Sequence, residues 1–558
     1  MDQELARNLI QRINVADSLT RSAAAWPGQT AIVDGPRRWS YAELDAWVSR
    51  LARGLAARGY ARGDALALAS GNSAEFLAVY YACARLGLVC VPVNLGWRPD
   101  EVAYVLGHSG SRGLVIEAQL IPALRDAVTK VSDVADVFVA PGTLPGATPY
   151  EAEPADRTWA TLDELASADE APFEALVQDR DPLSYVYTSG TTSFPKGVVA
   201  SHAAIYLESM STALDSQWSS ADRFAAMMPM FHTAQLNAFC TPAITVGATI
   251  YVLRGFDPEV LLSLIEEQGI TQVFGLPMMY RAMLDHPAFA GRDLASLRRA
   301  VYAMAPMPDA LIRRCLDGFG CDFALLFGQT EMSPCTTLFR PEHQLSHIGA
   351  VGTPLTGVQV AIMGPDGELL PQGEPGEIVY RGPSTMTEYL DNPDATATAF
   401  SRGWFHSGDV GRFGPDGVLW FADRYKDVIK TGGENVASIE VEKAIYAAEP
   451  RVAEAVVIGL PHERWSEAIT AVVVPRPGET IEAAALIAAL KARLDAYKVP
   501  KAIIVQAELP RTSTGKIQKN VLRDQHAAHY GGRGRAEADR RGQGRAGHDN
   551  GGTSNNSH

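Results

Sequence analysis

Short apolar, β-branched runs alternate with helical periodicity through roughly the first 350 residues. Residues 65–69 read as a strand, 73–86 as a helix and 89–93 as the next strand. Residues 224–228, 249–253, 272–274 and 299–302 repeat the strand signal, with helical stretches such as 258–267 and 309–316 between them. Strand–helix alternation predicts α/β architecture with largely parallel sheets. Functional loops are then expected at the C-terminal ends of strands.

After Gly357 the pattern changes. Residues 358–362 and 377–380 predict antiparallel strands, separated by turn signals such as Pro365-Asp366-Gly367, with a similar turn at Pro415-Asp416-Gly417. This predicts a small β-rich subdomain that closes the large domain. Beyond Lys426 a compact α+β pattern follows: a helix over 439–448, strands over 455–459 and 468–474, and a helix over 481–494. The expected organisation is a large N-terminal α/β domain over 1–425, mainly of parallel sheets, and a small mobile α+β C-terminal domain over 426–527. A tail over 528–558, rich in Gly, Arg, Asn and Ser, cannot bury a core and is expected to be disordered. Residues 140–182, rich in Pro and acid, are expected to form an extended surface excursion.

Composition narrows the class. The chain has 558 residues, too many for one ordinary core. It is 47% hydrophobic and 20% charged, which are globular values. The net charge of −15 gives a nucleic-acid partner no support, and an anionic substrate would need a locally basic pocket. Cys83, Cys90, Cys240, Cys315, Cys321 and Cys335 fit no zinc or disulfide spacing and read as buried small hydrophobes in a reducing compartment. No signal pattern opens the chain, and no run approaches the ~20 apolar residues of a membrane span. A cytoplasmic protein without an integral membrane segment is expected.

The strongest local signal is Tyr187-Thr188-Ser189-Gly190-Thr191-Thr192-Ser193-Phe194-Pro195-Lys196-Gly197, after the short apolar strand 183–186. Hydroxyls, small residues and one lysine after a strand can wrap phosphate oxygens, with backbone N–H groups as donors and Lys196 as a point charge. It is not a Walker loop, because Pro195 precedes the lysine and Gly197 follows it.

This loop resembles the signature of the adenylate-forming superfamily: acyl-CoA synthetases, peptide-synthetase adenylation domains and firefly-type luciferases. The resemblance runs from about residue 20 to 525 and meets further motifs in order. Phe327-Gly328-Gln329-Thr330-Glu331 resembles Tyr-Gly-x-Thr-Glu. It implies that Phe327 and Gly328 form the adenine platform, Thr330 contacts the α-phosphate, and Glu331 with Thr188 holds magnesium. Taken alone, a Thr-Glu after Gly equally suits a helix cap. Ala305, just upstream, joins the nucleotide set by the same resemblance. Gly403-Trp404-Phe405-His406-Ser407-Gly408-Asp409 resembles Gly-Trp-x-x-Thr-Gly-Asp, in which Asp409 accepts from both ribose hydroxyls. Asp423-Arg424-Tyr425-Lys426-Asp427 resembles the domain junction, with Arg424 on ribose or phosphate and Lys426 at the hinge.

Gly432-Gly433-Glu434-Asn435 resembles the loop that approaches a pantetheine arm, and Trp465 matches a tryptophan near the coenzyme A tunnel. The glycine usual after that tryptophan is Ser466 here. Pro510-Arg511-Thr512-Ser513-Thr514-Gly515-Lys516-Ile517 resembles the C-terminal catalytic lysine motif. Lys516 would bridge the substrate carboxylate and the α-phosphate, where two anions meet and negative charge builds.

The resemblance implies a two-step ligase that uses ATP, Mg2+ and coenzyme A, working as a monomer or homodimer, with Lys516, Glu331 and Lys196 as its catalytic set. A small-molecule carboxylic acid is activated as an acyl-adenylate and passed to a thiol. His232, Ala303, Met304 and Leu326 line the acyl pocket on this reading. Relatives often carry glycine at the last three positions, so larger side chains there favour a medium-chain, branched, cyclic or aromatic acid. Met304 and Leu326 equally suit core packing. The alternatives are an amine or carrier-protein acceptor, and a non-catalytic nucleotide-binding scaffold; the latter is expected to lack Lys516, Glu331 or Lys196.

Overall fold

The computed structural model describes residues 3–142, 158–188, 195–304, 307–512 and 515–530, and the statements below concern these. The tail over 531–558 lies outside them, as do Ser189, Gly190, Thr191, Thr192 and Ala305. Contacts divide the chain into two compact units. One comprises Met1–Ser407 with Gly411–Phe421, and the other Gly408–Val410 with Ala422 onward.

The first unit contains two large sheets. In the thirteen-stranded sheet, six strands run parallel in the spatial order Thr30–Asp34, Thr249–Val252, Arg223–Ala226, Gln272–Gly275, Arg299–Tyr302 and Asp322–Gly328. Most residues of these strands are buried, as expected of parallel strands covered on both faces. The eight-stranded sheet carries Ala65–Ala69 and Val89–Pro92 at its centre. Its strand Pro182–Thr188 runs parallel to Val89–Pro92 and antiparallel to Lys196–Ser201.

Helices close the faces. Ala74–Leu86 is buried along its whole length, with Ser73 capping its N-terminus through the Phe76 N–H. Phe224, Phe239 and Phe274 stack in the core, with centroid separations of 5.2 and 4.3 Å.

The β-rich segment after Gly357 forms, with Gln359–Met363 antiparallel to Gly376–Arg381. Its strands continue the thirteen-stranded sheet through the antiparallel pair Ala350–Pro354 and Leu419–Arg424. One expectation is corrected: 140–182 is not wholly an excursion. Thr158–Thr161 adds an edge strand beside Asp136–Ala140, and Leu162 and Leu165 of the next helical turn are buried. The apolar pairing of these two leucines outweighs the polar composition around them.

The second unit contains a five-stranded sheet built on the long hairpin Val452–His462 and Ser466–Pro475, whose second strand also pairs with Ile429–Thr431 and Ala502–Val505. Helix Ser438–Ala448 packs on it through Val441 and Ile445. Helix Ala483–Leu490 is shorter than its sequence signal, which ran on to residue 494. Among the described residues no helix is long and apolar enough to cross a membrane.

Candidate active site

In the first unit, the hydroxyl- and glycine-rich motif joins two antiparallel strands. Thr188 ends one and Lys196 begins the next, and the two are register partners. The sheet therefore fixes both ends of the motif. Strand Glu388–Tyr389 adds to the far side, with Tyr389 paired to Val198. This brings the Tyr389 ring 5.0 Å from the Lys196 ammonium. The same phenol donates to Glu331 Oε1 at 2.8 Å, and the Glu331 carbonyl accepts from the Met386 N–H at 2.7 Å. Tyr389 thus gathers the phosphate-loop lysine and the candidate metal carboxylate around one ring. The sequence reading did not select Tyr389. Its signal was the Met386-Thr387-Glu388-Tyr389 segment, whose strand pairing is invisible without the fold.

Phe327, the penultimate residue of the strand Asp322–Gly328, is half-buried, with its ring 5.4 Å from Phe421. Gly328 is required sterically, because a Cβ there would lie 2.0 Å from the Pro334 carbonyl oxygen. Thr330 and Glu331 form the turn that follows. A hard cation fits this donor set. Magnesium takes one or two protein carboxylates and completes its shell with phosphate and water oxygens, and Glu331 with the half-buried Thr188 hydroxyl supplies that much. Among the described residues no group of three His, Cys, Asp or Glu side chains forms a denser metal site.

The candidate acyl segment follows Pro229. Asn72, buried, holds it: its amide donates to the Met228 carbonyl at 2.9 Å and accepts from the Met230 N–H at 2.8 Å. The Gln235 side chain accepts from the Met228 N–H at 2.9 Å. Asn72 was not selected from sequence, since a lone buried amide has no local signature, and Gln235 entered only as the end of the pocket-bounding segment 230–235. His232 caps the short turn Thr233–Gln235, and its ring lies 4.8 Å from Phe231. Its Nε2 is buried without a protein partner, and burial pushes its pKa down to about 4, so the ring is neutral. The helix then widens into a π-type turn at Leu236–Cys240, a distortion that recurs at functional sites.

Of the three other acyl candidates, Leu326 and Ala303 are buried, at 5% and 9% exposure. Met304 is 38% exposed and adopts φ 67°, a left-handed conformation rare for a long side chain. Core packing therefore does not account for Met304.

The second unit groups another set. Asp409, 3% exposed, pairs with Arg424 Nε at 3.0 Å through Oδ1. The Tyr425 N–H donates to the Gly408 carbonyl at 3.0 Å and keeps the two segments together. Asp423 accepts from the Ser438 N–H at 2.6 Å and anchors the following helix. Lys516 sits on a tight hairpin. Its carbonyl accepts from the Thr512 N–H at 2.8 Å, and its own N–H donates to Thr512 Oγ1 at 3.1 Å. Lys516 keeps exposed surface, yet desolvation by the protein around its ammonium, with the like charges of Arg424 and Lys426, lowers its pKa to about 8. The Lys426 pKa is lowered as well, by desolvation and by Arg424. Gly432 and Gly433 turn between the strands Ile429–Thr431 and Glu434–Val436. The Gly432 N–H donates to the Trp465 carbonyl at 2.8 Å.

The first unit thus holds Lys196 and Glu331 of the candidate set, and the second Asp409 and Lys516. The AMP-binding enzyme family model matches residues 19–390, and the AMP-binding enzyme C-terminal domain model matches 440–516. The chain belongs to this AMP-binding enzyme family, among its adenylate-forming acyl-CoA synthetases. A feruloyl-CoA synthase of an Amycolatopsis species is 37% identical over 503 residues, spanning 90% of this chain and 97% of that protein. Indoleacetate–CoA ligase of Aromatoleum aromaticum is 33% identical, over 92% of this chain and 98% of that protein. Among solved structures, ATP-bound MatB from Rhodopseudomonas palustris matches with a TM-score of 0.84 at 29% identity, covering 93% of this chain and 100% of that one.

Proposed function

We propose that the chain is an ATP-dependent acid–CoA ligase for a compact, ring-bearing carboxylic acid. The observation that carries the first half-reaction is the Lys196–Tyr389–Glu331 arrangement beside the Thr188 strand end. ATP is held by Thr188, Ser189, Gly190, Thr191, Thr192 and Lys196 at the phosphates and by Ala305, Phe327, Gly328 and Thr330 toward the base and α-phosphate. Asp409 and Arg424 take the ribose. Magnesium, when bound by Glu331 and Thr188, supplies charge neutralisation for the polyphosphate.

A carboxylate oxygen of the acid attacks the α-phosphorus. A new P–O bond forms, the α–β bridging P–O bond breaks and pyrophosphate leaves. Lys516 holds the incoming carboxylate and the α-phosphate together, and Lys196 stabilises the departing charge. No protein nucleophile is needed, so rate enhancement comes from positioning and electrostatics. In the second step the CoA thiol loses its proton to solvent and attacks the acyl carbon. The C–O bond of the mixed anhydride breaks and AMP leaves. Gly432, Gly433 and Trp465 receive the pantetheine arm, and Lys426 is the hinge between domains of 1–425 and 426–527.

The acid class rests on side chains at positions where relatives often carry glycine. Side chains at Ala303, Met304 and Leu326 in place of glycine would narrow an acyl pocket and so disfavour a long straight chain. Two relatives named for aromatic acids, feruloyl-CoA synthase and indoleacetate–CoA ligase, support the same class.

The test is acid-dependent pyrophosphate release from Mg-ATP over a panel of acids, with and without CoA. An aromatic acid as best substrate, with AMP and a thioester only when CoA is present, supports the whole proposal. Adenylate formation that ignores CoA moves the acceptor to an amine or a carrier protein. A preference for long linear acids overturns the acid class.

A further inference from the structure

Helix Lys519–His526 begins three residues after Lys516, and two of its cations reach the segment 423–427 or the helix anchored to it. Arg523 Nη2 pairs with Asp427 Oδ1 at 2.7 Å. The Lys519 ammonium donates to Ser438 Oγ at 2.5 Å and pairs with Glu442 Oε1 at 3.1 Å. Ser438 in turn donates its N–H to Asp423, and Glu442 also accepts from the Val457 N–H at 2.9 Å. Desolvation works against the Lys519 charge, but Glu442, Asp423 and Asp427 outweigh it and raise its pKa. The four side chains of the two ion pairs are between 11% and 29% exposed, so these are not the freely solvated pairs that contribute little.

The backbone between this helix and Lys516 has little freedom. Arg511 Nη1 donates to the Gly515 carbonyl at 2.6 Å, and the Gln518 N–H donates to the Pro510 carbonyl at 2.9 Å. Leu522, on the helix, is fully buried in one cluster with Val456, Ile458 and Leu460. A fixed helix therefore fixes the hairpin. The Lys516 ammonium itself faces Arg424 and Lys426, which repel it, and Asp409 and Asp427, which attract it. The repulsions are the larger, so its own charge does not hold Lys516 in place. Its position is imposed by the chain that carries it.

We infer that Lys519 and Arg523 are positioning residues for adenylation: they fasten the helix behind Lys516 to the segment 423–427 and so hold the Lys516 ammonium beside Asp409 and Arg424. Neither touches a reacting atom; both act through Lys516. The inference rests on the reading of Lys516 given above and adds what keeps that cation among like charges. Rate enhancement by a placed charge depends on its position, so loosening the anchor costs the step that uses Lys516. Acyl transfer, which uses Gly432, Gly433 and Trp465 on the same reading, is spared.

The test measures two half-reactions on the full chain with the best acid of the panel: ATP–pyrophosphate exchange, and transfer from the preformed adenylate to CoA. It compares wild type, Arg523→Met, Lys519→Met, Arg523→Lys and Lys516→Ala. The first readout is the ratio of the adenylation rate to the transfer rate, in which a loss of folded protein cancels. Both methionine variants should lower that ratio roughly tenfold or more, since a displacement of about 1 Å suffices for such a loss. The second readout is the alkaline limb of adenylation, set near pH 8 by Lys516. In the methionine variants it should move to higher pH, because a released Lys516 escapes desolvation and the repulsion of Arg424 and Lys426. Arg523→Lys keeps the cation and should recover most of both readouts. An unchanged ratio in both methionine variants, or a limb that stays near pH 8 in both, overturns the inference, and loss of adenylation in Lys516→Ala then leaves the reading of Lys516 standing. Adenylation retained in Lys516→Ala overturns that reading and the inference with it.

Discussion

The Tyr389 phenol donates to Glu331 Oε1 at 2.8 Å across 58 residues of sequence, and the same ring carries the Lys196 ammonium at 5.0 Å. The contact orients a carboxylate that would otherwise rotate freely at a half-exposed turn. Tyr389→Phe keeps the ring under Lys196 and removes only the hydrogen bond. The Mg2+ concentration for half-maximal ATP–pyrophosphate exchange should rise several-fold, in line with about 1 kcal/mol for one such bond. Tyr389→Ala removes the platform as well and should cost more. A Tyr389→Phe enzyme with unaltered Mg2+ dependence would show that the contact does not orient the metal ligand.

Much of this fold was legible along the chain, because buried parallel strands announce themselves as apolar runs. Residues 65–69 and 299–302 were read to the residue. The β-rich segment was legible as antiparallel strands, but its continuation into the large sheet was not, because that depends on the pairing of Ala350–Pro354 with Leu419–Arg424, nearly seventy residues apart, which no local pattern encodes. The same holds at the site. Lys196, Glu331 and Lys516 stand in motifs with local signatures, whereas Tyr389, Asn72 and Gln235 act through partners distant in sequence or through one buried amide. Met304 shows a third case: sequence left pocket wall and core packing equally open, and only its exposure and backbone conformation decide against the core.

On the proposed mechanism Lys516 works in its protonated form, and its pKa is lowered to about 8. The protonated form dominates below that value and is lost as pH rises through it. The kcat/KM for adenylation, which reports the free enzyme, should therefore show an alkaline limb near pH 8. Lys516→Arg keeps its charge throughout this range and should remove the limb at a lower plateau. Lys516→Ala should lose about 10²–10³-fold in adenylation. A limb that persists unchanged in Lys516→Arg would assign it to another group.

His202 is fully buried, and its Nδ1 accepts from the Val15 N–H at 3.3 Å, which makes the ring neutral with its proton on Nε2. Burial lowers its pKa to about 3. The unfolded chain takes up this proton near pH 6.5 and the folded chain does not, so stability present above that pH is lost as pH falls toward 3. At pH 5 the loss from this residue alone is about 2 kcal/mol relative to pH 8. Urea midpoints at the two pH values measure it. His202→Gln, which cannot titrate, should show a smaller drop between them even though it starts less stable. An equal drop would mean that other groups carry the acid sensitivity.

Met304 holds a left-handed backbone conformation, at φ 67°, that glycine adopts without strain. Met304→Gly should therefore leave the fold intact, with a strain relief of about 1 kcal/mol offset in part by the greater freedom of glycine in the unfolded chain. If Met304 also forms the wall of the acyl pocket, removing its side chain should extend the accepted acids toward longer or bulkier members, with kcat/KM for the smallest acids unchanged or reduced. Thermal unfolding and the acid panel, run on the same variant, separate the two effects. A broadened panel with unchanged stability assigns Met304 to the pocket. An unchanged panel with a shifted melting point makes its conformation a matter of backbone alone, and places the control of acid length with Ala303 and Leu326.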